Sequence, residues 1–187
     1  NYTDFESMMQ DENKLHLDEI EEHKKSAIAK LGENIVIRRF NVFSDKLNCV
    51  VGYTHNNKIG AVVILEKNDA LLGKDICMQI VAANPISIDE KTIDESVLLN
   101  EKEIYKAELD KINKKADIKR NILEGKIKKF ISDNTLLDQP FIKDNSTTLR
   151  KLLADNTIIS FHRFQLGEGL EKKNEDFAKE VYSQINK

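Results

Sequence analysis

Cysteine, proline and glycine are scarce in this chain, and each scarcity excludes something. Of 187 residues, two are cysteine, two proline and seven glycine. Cys49 and Cys77 form neither a C-x-x-C pair nor a metal-ligand spacing, so neither a disulfide framework nor a zinc ribbon is indicated. A reduced, intracellular protein is the default expectation, in the cytoplasm. So few helix breakers leave long uninterrupted segments, which favours helices. No apolar run approaches the roughly 20 residues of a membrane span, and no secretory leader pattern of basic start, apolar middle and small-residue end is visible.

A charge surplus is also missing. Lys and Arg total 29 against 32 Asp and Glu, a net charge of -3. Non-specific nucleic-acid binding needs a basic excess or patch, so direct nucleic-acid contact is not expected. The four histidines, His16, His23, His55 and His162, form no H-x-x-x-H or H-E-x-x-H spacing. No G-x-x-x-x-G-K-[ST] phosphate cradle is present. Neither metal nor cofactor is expected. What remains is 40% hydrophobic and 33% charged residues, enough for a core with a heavily solvated exterior.

Hydrophobic spacing then orders the chain. Leu17, Ile20, Ala27, Ile28 and Leu31 predict an amphipathic helix over 15–31, with Gly32 at its C-terminal cap. Ile35, Val36, Ile37, Phe40, Val42 and Phe43 predict a strand. Residues 49–54 and 59–65 predict a hairpin turned at Asn56-Asn57-Lys58. A helix is expected over 69–83, stopped by Asn84-Pro85. Two apolar stripes within 95–131, separated by Asn113-Lys114-Lys115, fit an antiparallel, coiled-coil-like helical hairpin. A short helix through Leu149, Leu152 and Leu153, a strand over 158–166 and a last amphipathic helix carrying Phe177, Val181 and Tyr182 complete the pattern. Arg163-Phe164-Gln165-Leu166 echoes Arg39-Phe40-Asn41-Val42, as two related subdomains would.

Catalytic chemistry has little support in these residues. A Cys–His nucleophilic pair between Cys49 or Cys77 and His55 or His162 is conceivable, but both cysteines sit in apolar helical or strand patterns, where buried structural thiols are the rule. The carboxylates lie in charge runs of the kind that solvate a surface. Weight shifts from catalysis to binding, and three readings stand: a factor that binds another protein, an assembly module self-associating as a homodimer through the 95–131 hairpin, and a small cysteine-dependent enzyme.

Four separated strings decide between these by resemblance. They are AKLGENIVIRRF from Ala29 to Phe40, KDICMQIVAANP from Lys74 to Pro85, EGKIKKF from Glu124 to Phe130 with LLDQPFIKD from Leu136 to Asp144, and FQLGEGLEKK from Phe164 to Lys173 with DFAKEV from Asp176 to Val181. In order and spacing they resemble bacterial and organellar elongation factor Ts. The resemblance implies an α+β fold of two related subdomains with small antiparallel sheets and packed helices, and a helical hairpin inserted in the second. It divides the chain into a core subdomain over 1–70, a second over 71–170 carrying the hairpin at about 95–131, and a C-terminal helical module over 171–187.

The resemblance further implies a non-enzymatic guanine-nucleotide exchange factor whose partner is the GTPase elongation factor Tu. Gln79 falls where family members approach the GTPase near its nucleotide phosphates, several of them with histidine there. Ile59 falls on another contact to the GTPase domain, and Ile142 and Lys143 on contacts to elongation factor Tu outside it. Asp176, Phe177 and Val181 fall in the C-terminal module, which also touches the GTPase. The family's Thr-Asp-Phe-Val wedge is echoed only by Thr3-Asp4-Phe5, with Glu6 in place of valine, and its N-terminal helical domain has no counterpart before Leu15.

Overall fold

A computed structural model describes residues 17–41, 43 and 49–169. The chain divides into two units, Asn1–Leu47 and Asn48–Lys187. The boundaries expected near residues 70 and 170 both lie within the second.

In the first unit, helix α1 spans Leu17–Leu31. Asp18 and Glu19 stand in its first turn and Lys30 in its last, each charge complementing the helix dipole. Gly32 ends it at φ 72°, its amide donating to the Ile28 carbonyl at 2.9 Å. The strand expected over 35–43 does not form in the described part of that stretch: residues 34–41 carry no regular secondary structure, and Val36 is 68% exposed. β-branched residues favour an extended backbone, but a strand exists only where a partner supplies its ladder. No ladder among the described residues includes this stretch.

The second unit is built on a three-stranded antiparallel sheet of order β1-β2-β5. β1 is Cys49–His55, β2 is Ile59–Leu65 and β5 is Ile158–Gln165. Asn56 and Asn57 sit at φ 50° and 55°, and the Lys58 amide closes the turn on the His55 carbonyl. Two consecutive left-handed residues match the right-handed twist of a tight hairpin, and asparagine adopts that conformation with little strain. β2 lies at the centre, which is why IGAVVIL reads as an almost continuous apolar run.

Helix α2, Ala70–Ala83, packs on β1 and β2. Asp69 caps its start, Oδ1 accepting from the Leu72 amide at 2.9 Å. Asn84 ends it in the left-handed region at φ 47°, and Pro85 follows. Leu65, Ile76, Ile80, Leu136, Leu149 and Val63 are fully buried between this helix, the sheet and the following segments. Each side chain so buried contributes about 1.5–3 kcal/mol.

Beyond a one-turn 3-10 helix at Glu90–Thr92, helices α3 (Glu95–Asp110) and α4 (Ala116–Asn134) are joined by residues 111–115. Lys126 pairs with Glu108, Lys119 reaches Asp110 at 4.0 Å, and Lys126 Nζ lies 4.8 Å from the Tyr105 ring centroid. Partners late in α3 thus meet partners early or midway in α4, an antiparallel arrangement. Only Leu109 on these two helices is buried. A two-residue strand β3 (Pro140–Phe141) then pairs with β4 (Asp144–Thr148), and α5 (Leu149–Leu152) leads toward β5. The whole is an α+β fold, and no described helix is long and apolar enough to cross a membrane.

Candidate partner-binding surface

α2 and the tight turn between β3 and β4 make the most built polar arrangement in the second unit. Gln79 projects inward from α2 and is fully buried. Its Oε1 accepts from the Ile142 backbone amide at 2.8 Å. Its Nε2 donates to the Pro140 carbonyl at 3.2 Å and to Gln139 Oε1 at 3.3 Å. Gln139, also buried, passes its own amide hydrogens to the carbonyls of Asp133 at 2.7 Å and Ala83 at 3.4 Å. Two side-chain amides therefore tie together the end of α2, the end of α4 and the β3–β4 turn. A buried amide left unpaired would cost about 1–3 kcal/mol, and here both are used fully.

One turn earlier on the same face of α2, Asp75 Oδ1 accepts from Lys143 Nζ at 2.6 Å. Residues 75 and 79 are four apart, so both side chains leave one face of the helix. Ile142, held by its amide, keeps 42% of its surface exposed. The expected contact residues Gln79, Ile142 and Lys143 are thus brought together, but unequally. Ile142 and Lys143 are on the surface, whereas Gln79 presents nothing to solvent.

Ile59 occupies a different place. It opens β2, opposite His55 on β1 and Gln165 on β5. It is half-buried and packs against the core. Beside it lies an open depression of about 700 Å³, lined by Tyr53, Lys58, Val62, Phe164 and Leu166 among others. Its walls are mostly apolar, and Leu166 at its rim is 76% exposed. Asp176, Phe177, Val181 and Thr3-Asp4-Phe5 lie outside the described residues.

Nothing in this geometry suits bond-making chemistry. The Cys77 thiol donates to the Val51 carbonyl at 3.2 Å, and burial pushes it up to about 11. A nucleophilic thiolate needs the opposite environment. Cys49 is buried as well, and no cluster of metal-ligating side chains occurs among the described residues. An exposed apolar side chain and a cation on a braced turn, and an apolar hollow at a sheet end, can grip another macromolecule.

Sequence reasoning missed Asp75 and Gln139. The four-residue spacing between Asp75 and Gln79 was a usable sign of a shared helix face. Gln139, next to Pro140 in a polar stretch, gave no hint of burial.

Comparison with known proteins bears on what is gripped. Residues 1–168 match the family model described as Elongation factor TS. A protein named Elongation factor Ts from Methylococcus capsulatus is 41% identical over 168 residues, covering 89% of this chain and 57% of that protein. Its namesake from Thioalkalivibrio sulfidiphilus is 42% identical over 168 residues, with 88% and 57% covered. That from Nitratiruptor is 43% identical over 182 residues, with 88% and 60% covered. The chain therefore spans somewhat more than half the length of these relatives.

Proposed function

The chain belongs to the elongation factor Ts family, and on that premise we propose that it binds the translation GTPase elongation factor Tu and promotes release of its GDP. The match over residues 1–168 carries this reading. The braced, exposed Ile142–Lys143 turn supports it as a surface shaped for a protein partner.

An exchange factor makes no covalent bond of its own. It binds the nucleotide-free GTPase more tightly than the loaded one. Coupling between the two sites is reciprocal, so the factor by which it weakens GDP is the factor by which GDP weakens it. Each tenfold requires about 1.4 kcal/mol of differential contact. The phosphate and Mg²⁺ surroundings carry much of a nucleotide's hold on such a GTPase, so strain applied there is efficient. The factor needs no nucleotide pocket for this.

Within the proposal, three segments act together in the cytoplasm, where translation elongation runs. The first, 1–70, brings Ile59 and its hollow to the GTPase domain. The second, 71–170, brings Ile142 and Lys143 to elongation factor Tu outside that domain. The third, 171–187, adds Asp176, Phe177 and Val181 at the GTPase. Gln79 serves from the interior.

The test is release of fluorescent GDP from purified elongation factor Tu. The 187-residue chain accelerates release in proportion to its concentration until saturation; a rate equal to spontaneous release at every concentration rejects the reading. A second reading, self-association through α3 and α4, draws on the exposure of Leu99, Ile104 and Ile118. A strictly monomeric sedimentation profile removes it.

A further inference from the structure

Ile142 and Lys143 form the two-residue connection between β3 and β4, since Phe141 pairs with Asp144 across the turn. Two-residue hairpin loops favour left-handed residues, usually Gly, Asn or Asp, whose twist matches the strands. Ile and Lys are neither, and neither residue has positive φ. β-branched isoleucine is a poor turn former on its own account. The ladder on either side is short and irregular, with a register shift between Pro140 and Phe141. Local preference and strand pairing therefore do little to define where this turn points.

What defines it comes from α2. Gln79 Oε1 receives the Ile142 amide, Gln79 Nε2 holds the Pro140 carbonyl just before the turn, and Asp75 holds the Lys143 ammonium just after. Gln139 fixes the Gln79 amide in that orientation: its Oε1 accepts from Nε2, so the other Gln79 atom must face Ile142. We propose that Gln79 is a positioning residue: it touches no partner, and it sets the exposed Ile142–Lys143 turn in the conformation that binds elongation factor Tu. This rests on the exchange-factor reading for its functional half, while the clamp itself is a property of the chain alone.

The experiment has two arms on the 187-residue chain. The first measures hydrogen exchange of the Ile142 amide by NMR. It is protected in the parent chain, and in Gln79→Met, which keeps volume but not hydrogen bonds, protection falls at least about tenfold while Val63 and Ile80 stay protected. The second measures affinity for nucleotide-free elongation factor Tu. Gln79→Met weakens binding about tenfold in the parent background, but less than about twofold in an Ile142→Ser background, because the turn is the only route by which Gln79 acts. Undiminished loss in the Ile142→Ser background means a general structural role and overturns the proposal. So does an Ile142 amide exchanging freely in the parent chain. If Gln79→Met does not fold, Asp75→Asn decides on the same grounds: it loosens the surface side of the clamp and weakens binding about twofold, again only while Ile142 is present. Failure of the parent chain to bind elongation factor Tu at all would count against the exchange reading, and the amide arm would still judge the clamp.

Discussion

At the residue scale, burial decides what each polar or reactive group can do. Gln79 looks from the sequence like a surface residue of a helix, because nothing in a string of letters marks a glutamine whose amide will be consumed internally. The structure turns it inward. Cys77 read as structural, and its thiol, pushed up to about 11 by burial, agrees. The native chain should therefore leave both thiols unmodified by a thiol-specific reagent at pH 8 for as long as it stays folded. Rapid labelling of Cys77 without unfolding would contradict its placement. Asp138 is held below the usual carboxylate range, first by hydrogen bonds from Arg150, at 2.8 Å from Nε and 3.0 Å from Nη2. A carboxyl that titrates lower when folded stabilises above its unfolded value near ~3.9 and loses that contribution as pH falls through the folded one. Stability of the parent chain should thus decline faster below about pH 4 than that of Asp138→Asn. The gap is well under about 1 kcal/mol, because the pair is screened by water. Urea titrations at pH 3 and pH 6 measure it; a gap that widens toward pH 6 follows from the pair, and one that widens toward pH 3 refutes it.

At the element scale, periodicity and punctuation carried most of the reading. The alternation over 49–65 with Asn56-Asn57 at its middle contains all a hairpin needs, and β1 and β2 fall where expected. α2 was legible because Asp69 and Asn84-Pro85 bracket it chemically. The 35–43 strand was misread because strand propensity is only a disposition, and the partner that realises it is not encoded locally. Equally hidden was the closeness of α2 to β1. A Cβ on Gly73 would lie 2.6 Å from Val51 Cγ2 and 2.9 Å from Val51 Cβ, so the helix can sit there only without a side chain. Gly73→Ala gains helix propensity, yet should lose about 1–3 kcal/mol by overpacking against a stiff β-branched neighbour. Chemical denaturation checks this; an unchanged or raised midpoint would show that α2 and β1 are less close. Asp69→Ala removes the cap on α2 and should cost about 1 kcal/mol in the same assay.

At the scale of the whole molecule, composition excluded function classes, and only long strings named a partner. Low charge imbalance and the lack of catalytic spacing pointed to binding, but no residue-level physics says which protein is bound. The four strings did, by resemblance, and family membership follows from the match over residues 1–168. Which surface does the binding was half legible. Ile142 and Lys143 could be named as contacts, whereas the clamp behind them depends on side chains 60 or more positions apart in sequence meeting in space. Ile142→Ser, which removes an exposed apolar contact without touching the core, should weaken the complex with elongation factor Tu about tenfold and leave thermal stability unchanged. The most direct measurement is the affinity of the 187-residue chain for elongation factor Tu, determined once with the GTPase emptied of nucleotide and once with it saturated by GDP. The account predicts tight binding to the empty form and much weaker binding to the loaded one; equal affinity for both would contradict it.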